Sequence, residues 1–372
     1  MYHKRLVSLF ALFSLTHRSN SQHSSEEIIA YVNSHATTWT AGINPDNPAL
    51  DSLRSLDPNI SLLYTKDEMK VMFHRQEYIS RLPEEFNALD KWPMCRNVIA
   101  RVRNQGKCQS CWAVQTASAF SDRICIGSLG RLQFHASAED VVSCCGHCSV
   151  DDSSCAPGYI GRAWKHLRDN GVVSGGEYES LEGCKPYSGE LFHCMKDLPC
   201  RKWCSNSCYQ RDYDTDLQKI HHVYLVSPNE TQIQDEIYYN GPVVTYLDLY
   251  EDLEDYREGV YQHLYGDYIG GHFIKLVGWG METQTKYWLA ANSWGPSWGK
   301  LNGFFKILRG ENHCRTEEEV RAGKTTQITF REYLLTNPEF VGSVSSNLKP
   351  WNGLALVSWT FFYTLMQILY HF

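Results

Sequence analysis

Gln105-Gly106-Lys107-Cys108-Gln109-Ser110-Cys111-Trp112 places a cysteine, Cys111, at the point where helical periodicity begins. After it Trp112, Thr116, Ala117, Phe120 and Ile124 recur at helical spacing, which predicts a helix with one buried face. A cysteine in the first turn of a helix feels the positive end of the peptide dipoles, which favours the thiolate, the nucleophilic form. Most of the fourteen cysteines are expected to be structural. Cys111 stands apart because its partners can be named. Gly270-Gly271-His272 precedes the apolar strand Phe273-Ile274-Lys275-Leu276-Val277, and Tyr287-Trp288-Leu289-Ala290-Ala291-Asn292-Ser293-Trp294 follows. A Cys/His pair needs an imidazole to take the thiol proton and a third polar group to fix the ring. Asn292 is the neutral acceptor expected beside an imidazole that must be cationic opposite a thiolate.

The rest of the chain sets the context. Its 372 residues give a prior of two or three domains at roughly 150 residues each. Hydrophobic residues at 43% and charged residues at 21% exclude a disordered, collagenous or polytopic membrane chain. A net charge of −7 argues against nucleic acid as a partner. Lys4 and Arg5, the apolar run 6–15 and then Ser19, Asn20 and Ser21 follow the order of a secretory signal peptide, residues 1–21. An uncleaved anchor is the alternative. Secretion puts the cysteines in an oxidising compartment, where pairs become disulfides. Asn59 and Asn229 open acceptor sequons and are glycosylation candidates.

At the other end, residues 354–372 hold 14 apolar side chains and no full charge. Small residues at 342–347, a short polar spacer and this tail make the pattern of a glycosylphosphatidylinositol signal within an extension at 336–372. The expectation is a C-terminal lipid anchor and attachment to a membrane, with localisation in the secretory pathway, extracellular or lysosomal. A core helix or a soluble mature protein is the alternative.

The order Cys111, His272, Asn292 and its flanking words resemble papain-like cysteine proteases, and the match is closer to cathepsin B. The resemblance runs from about residue 26 to about residue 325. It rests also on Asp122-Arg123-Ile124-Cys125-Ile126, Val173-Ser174-Gly175-Gly176 and Asn302-Gly303-Phe304-Phe305-Lys306-Ile307-Leu308-Arg309-Gly310. It implies an α+β fold of two lobes, a helical lobe bearing Cys111 and a β-barrel-like lobe bearing His272 and Asn292, with the cleft between them. Cys111 becomes the nucleophile of a cysteine-type peptidase acting on protein and peptide substrates, without cofactor or metal, and His272 its base and acid. Trp294 covers the hydrogen bond from Asn292, and Gln105 joins the backbone N–H of Cys111 in the oxyanion hole. Residues 22–81, with Tyr31-Val32-Asn33 and Thr37-Thr38-Trp39-Thr40-Ala41-Gly42, resemble an inhibitory propeptide removed under acidic conditions, and 82–335 the peptidase domain. Cystatin-like inhibitors are further expected partners. The word from Tyr287 to Trp294, with Trp298-Gly299, is similar to digestive cathepsins of parasitic worms, although Ala290, Ser297 and Lys300 depart from them.

The resemblance also implies the bridges Cys95–Cys125, Cys108–Cys155, Cys144–Cys204, Cys145–Cys148, Cys184–Cys208 and Cys194–Cys200, leaving Cys314 as a buried thiol. Spacing alone selects none of these pairs. Zinc on Cys145, Cys148, Cys200, Cys204, Cys208 and His193 is the rival reading, disfavoured in a secreted chain.

Several positions depart from the family. Cathepsin B removes dipeptides with an occluding loop that carries adjacent histidines and acidic anchors. Here only residues 195–199 separate Cys194 from Cys200, His193 is the sole histidine there, and the anchor positions read Asn104 and Ser297. An endopeptidase with weak or absent carboxydipeptidase activity follows. His221-His222 lie too far along to serve and are expected to be solvated. Gln109 replaces a glycine, and Cys155-Ala156-Pro157-Gly158 keeps only Gly158 of the glycine pair that meets the substrate backbone, while Pro157 lacks an N–H. Glu319 matches the acid at the base of the second substrate pocket, whereas Tyr246 and Phe273 replace its small walls, so the preferred side chain is open. A papain-fold binding protein without turnover is the alternative to an enzyme.

Overall fold

Two large apolar cores and one small one are found among the described residues, and the helix that begins at Cys111 contributes to both large ones. The computed structural model describes residues 23–45, 69–72, 82–150, 155–178, 180–188 and 200–325. The signal-like segment, the C-terminal tail, Asn59 and residues 193–199 lie outside the described residues. Counting helices of seven residues or more, these are α1 (Ser25–His35), α2 (Cys111–Gly127), α3 (Ala138–Cys144), α4 (Ile160–Asp169) and α5 (Glu230–Asn240).

The helical lobe is built on α2, α3 and α4, whose Trp112, Phe120, Val141, Ile160, Trp164 and Leu167 are buried together. The expectation of a single buried face on α2 is corrected. Every residue of α2 from Cys111 to Ile126 is buried. Ala113, Ala117, Ala119, Ser118 and Ser121 are small enough to let the sheet approach from the side opposite the helices. A helix enclosed all round is a core element, which holds Cys111 rigidly.

The second lobe is a sheet. Its strands are β1 (Trp39–Ala41), β2 (Val71–Met72), β3 (Phe86–Asn87), β4 (His222–Val226), β5 (Val243–Tyr250), β6 (Tyr256–Tyr261), β7 (Tyr268–Glu282), β8 (Thr285–Ala291), β9 (Phe304–Leu308) and β10 (Arg321–Lys324). They pair in the order β1-β6-β9-β8-β7-β5-β10-β4-β2, with β3 on β7. Most pairs are antiparallel; β6 with β9 and β2 with β4 are parallel. The long strand β7 carries His272 opposite Leu247 of β5, and Lys275 opposite Ala291 of β8 brings Asn292 just past the strand end. His221 and His222 are exposed at the start of β4.

Helix α2 and strand β7 are bolted together by a buried ion pair, Lys275 Nζ to Asp122 at 2.7 Å, both fully shielded. Lys275 also donates to Ser118 Oγ at 2.9 Å. Burial drives both groups towards neutrality, raising the Asp122 carboxyl and lowering the Lys275 ammonium. Removing one partner strands the other charge in a dry interior. Lys275→Ala is therefore expected to destabilise the chain by about 3–5 kcal/mol, with a far smaller loss when Asp122 is made leucine at the same time. Urea midpoints of the two variants check this, and equal losses would contradict it.

The N-terminal segment is docked on the sheet lobe. Ser24 caps α1 by accepting from the Glu27 N–H, and Glu26 and Glu27 lie at the positive end. Asn33 on α1 clasps Ala41 twice, donating to its carbonyl and accepting from its N–H. Strand β1 then pairs with β6, setting Trp39 against Gly259. A Cβ at Gly259 would sit 2.3 Å from the Thr38 carbonyl oxygen, and its φ of +92° is in the region that suits glycine. The Trp39 indole donates to the Gln262 carbonyl at 2.9 Å.

Three of the expected disulfides close as written: Cys95–Cys125, Cys108–Cys155 and Cys145–Cys148. Three are corrected. Cys144 bonds to Cys200 rather than Cys204, and Cys184 to Cys204 rather than Cys208. Cys200 is thereby unavailable to Cys194, and Cys208 is a free, exposed thiol. Cys200, Cys204 and Cys208 recur every four residues along a run of turns, so the short Cα separations of 4.5 and 4.4 Å, not sequence spacing, choose the partner. Cys314 is free, but only part-buried. These bridges consume Cys145, Cys148, Cys200 and Cys204 of the rival zinc set.

Candidate active site

The site is assembled from the start of α2, the middle of β7 and the turn after β8. Ser110 precedes α2 without capping it, because its hydroxyl bonds to Tyr187 at 2.6 Å. Ser110 thus leaves the first N–H groups of α2 uncapped at the point where Cys111 sits. Dipoles alone would favour a thiolate there. In the intact chain burial wins: Cys111 is 6% exposed, and desolvation raises its thiol to about 11. Backbone N–H groups of Phe273, Trp112 and Cys111 itself offset this only in part.

His272 is fully buried. Its Nε2 lies 2.8 Å from Asn292 Oδ1, which also accepts the Ser293 N–H at 2.8 Å. With that backbone donor fixing the oxygen as acceptor, the ring donates from Nε2 and keeps its lone pair on Nδ1. Nδ1 is buried and makes no hydrogen bond in the chain. Desolvation lowers the ring to about 4, opposed by the bond to Asn292. Trp294, 1% exposed, stacks on the ring with centroids 5.1 Å apart. The indole seals the His272–Asn292 bond from water.

Gln105 is held at four atoms, three of them in contact with Cys108 and Ser293. Its N–H donates to the Ser293 carbonyl at 2.8 Å, its Nε2 donates to the Cys108 carbonyl at 2.8 Å, and its Oε1 accepts from Ser293 Oγ at 2.7 Å. An amide nitrogen carries two hydrogens, so the second N–H of Nε2 is left for a ligand. Tyr187 donates to the Gln105 carbonyl at 2.9 Å. Ser293 and Tyr187 thus position the amide, and nothing in their sequence surroundings marks Tyr187 for this; Ser293 is marked only by its place beside Asn292.

The residues expected along the cleft are arranged as follows. Gly158 packs on Trp112, whose ring atoms would lie 2.5 Å from a Cβ there. Trp112 donates to the Ala156 carbonyl, and the Gln109 N–H to Cys155, so the altered segment is tied to α2. Tyr246 and Phe273 face each other across β5 and β7 with rings 6.0 Å apart and share a buried cluster with Cys111. Met69 of the N-terminal segment belongs to the same cluster. Glu319 is paired with Arg321 at 3.0 Å. Asn104 and Ser297 are exposed; the Asn104 side chain accepts from the Gly106 N–H. Asn229 is exposed and caps α5 through Oδ1. Within the described residues, one mixed cluster, His23, Glu251 and Asp267, has ligand atoms within 4.8 Å of one another. No described helix is long and apolar enough to cross a membrane.

Residues 82–324 match the family model described as papain family cysteine protease. The chain is 38% identical to the cathepsin B-like cysteine proteinase 5 of Caenorhabditis elegans, covering 82% of this chain and 92% of that one. It is 34% identical to a cathepsin B-like cysteine proteinase of Schistosoma japonicum, covering 86% and 97%. Among solved structures, procathepsin B S9 from Trypanosoma congolense superposes with a TM-score of 0.68 at 32% identity, covering 82% of this chain and 99% of that one. Digestive procathepsin L2 from Tenebrio molitor, TM-score 0.61 at 23% identity, shares the fold.

Proposed function

Because the chain belongs to the papain family of cysteine proteases, with cathepsin B-like relatives along most of its length, we propose that it is a secretory-pathway endopeptidase made as a zymogen. Its carboxydipeptidase activity is weak or absent. The observation that carries the reading is the His272 ring, oriented by Asn292 through Nε2 and offering an unpartnered Nδ1 in the site that holds Cys111.

The chemistry follows. Once the cleft opens, Nδ1 takes the Cys111 proton and the sulfur attacks the scissile carbonyl carbon. The oxyanion is met by the Cys111 N–H and the second N–H of Gln105 Nε2, already held in place by Cys108 and Ser293. On collapse the C–N bond breaks and His272 gives its proton to the leaving amine. Water, deprotonated by His272, then splits the thioester and restores Cys111. Residues 22–81 act as the inhibitory segment, of which α1, β1 and β2 are seated on the sheet lobe. Residues 336–372 carry a lipid-anchor signal, and Asn229 a glycan.

The endopeptidase assignment rests on the missing histidine pair and on Asn104 and Ser297 at the two anchor positions. Among the described residues the Asn104 side chain accepts from the Gly106 N–H of its own loop. The activated enzyme should cleave a blocked internal peptide while releasing C-terminal dipeptides from the matching free acid at least about 10-fold more slowly. Comparable rates on the two would refute the assignment.

A further inference from the structure

Away from the catalytic groups, one set of side chains with metal-ligating chemistry straddles the boundary between the N-terminal segment and the sheet lobe. His23, Glu251 and Asp267 bring an imidazole nitrogen and two carboxylates within 4.8 Å of one another. The sheet lobe supplies the two acids already clasped together: the Glu251 N–H donates to the Asp267 carbonyl at 3.1 Å, and the Asp267 N–H donates to Glu251 Oε2 at 3.0 Å. Gly266 permits the clasp, since its φ of +102° suits glycine and a Cβ there would lie 2.9 Å from that of Glu251. The third donor comes from the segment. His23 stands just before the Ser24 cap of α1, with Nδ1 2.9 Å from Glu251 Oε2. Tyr265 fixes it there, meeting the His23 ring edge-on at 4.7 Å, stacking on Tyr31 at 4.3 Å and donating to Glu27 Oε1 at 2.7 Å.

We propose that His23, Glu251 and Asp267 bind a zinc ion, with water completing its shell, and that the ion staples the N-terminal segment to the sheet lobe. Charge and coordination both support this. Among the described residues neither carboxylate pairs with a lysine or arginine, so two acids share one histidine. Glu251 is only 4% exposed, yet its Oε1 accepts no hydrogen bond from a described residue. Buried charges are normally paired or coordinate a metal, and a divalent cation supplies both the charge and the partner. Zinc bonds of about 2.0–2.2 Å at roughly 90–110° set neighbouring ligand atoms about 2.9–3.5 Å apart. His23 and Glu251 already meet this, and the exposed Asp267 carboxylate closes the remainder by a turn of its own side chain. The imidazole selects zinc over calcium or magnesium, which take oxygen ligands. The ion is structural and leaves the Cys111 chemistry untouched. Its consequence rests on the reading of residues 22–81 as a removable segment: the site is complete only in the intact chain, so binding holds that chain closed.

The test titrates zinc calorimetrically at pH 7 into the intact chain carrying Cys111→Ser and Cys208→Ser, so that neither free thiol competes for the ion. One ion per chain should bind, saturably below about 100 μM. His23→Ala and Asp267→Asn, added singly to that chain, should each weaken binding at least about 10-fold. Neither side chain is buried, so both variants should fold. With zinc at about 100 times its dissociation constant the open population falls by up to about 100-fold, and added trypsin should cut the segment at least about 10-fold more slowly. His23→Ala should show no such protection. Absence of saturable binding below about 100 μM, equal affinity in either variant, or binding that leaves trypsin cleavage unchanged would overturn the inference. Failure of the peptidase reading would show elsewhere, as a chain with Cys111 intact and the segment removed that turns over no peptide.

Discussion

Replacing Cys111 by serine is expected to lower kcat/KM on any cleaved peptide by at least about 10⁴-fold, while leaving the chain folded. The size of the loss follows from the pairing. The sulfur is the only described nucleophile in the site that holds His272 Nδ1, and a serine hydroxyl there gives up its proton far less readily to the same ring. The fold should survive because the exchange is of similar size at the end of a helix whose packing rests on Trp112, Phe120 and the alanines between them. A thiol-directed epoxide should label the activated parent irreversibly and Cys111→Ser not at all. Retained turnover in the serine variant, or labelling confined to the exposed thiol of Cys208, would instead favour a papain-fold protein that binds without cutting.

The second large effect concerns pH in the uncut chain. Burial holds the Cys111 thiol near 11 and the His272 ring near 4, so at pH 7 the pair is neutral. About one sulfur in 10⁴ is then a thiolate. Alkylation of Cys111 in the intact chain at pH 7 should be at least about 10³-fold slower than after removal of the N-terminal segment, and should climb about tenfold per pH unit up to pH 10. On the acid side the sign is set by the depressed histidine. A ring with a lower pKa buried than free favours the closed state above about 6.5 and loses that advantage as pH falls towards 4. The loss approaches about 3 kcal/mol. Opening, read as susceptibility of the segment to cleavage, should therefore increase between pH 6.5 and 4. An intact chain that alkylates as fast as the cut enzyme, or opens more readily at neutral pH, would contradict this.

The catalytic constellation was legible because its parts lie in short contiguous words: the loop before Cys111, the strand opening with His272 and the turn holding Asn292. It is the family resemblance those words carry, and not their order alone, that pairs them. Helix α2 was legible in existence and start but not in its surroundings, since a pattern of small residues between large ones reads as one apolar face until the opposite lobe is seen to close over it. The bridges of Cys144 and Cys184 were illegible for another reason: three equally spaced cysteines offer equivalent loops, and only backbone proximity separates them. The state of Cys111 was misjudged by local reasoning, because a dipole acting over one turn is weaker than the withdrawal of solvent from the whole site.

Strand β1 occupies the outermost place in the sheet, and it belongs to the N-terminal segment proposed as the propeptide. When it leaves, β6 becomes a border with open hydrogen-bonding groups along Gly259 and its neighbours, the kind of template on which chains aggregate. The residues left there, Arg257 and Glu258, are charged, and Glu258 is bridged to Lys300 at 2.5 Å. In the intact chain β1 thus satisfies that border, and Arg257 and Glu258 are the charges that lie along it beneath the segment.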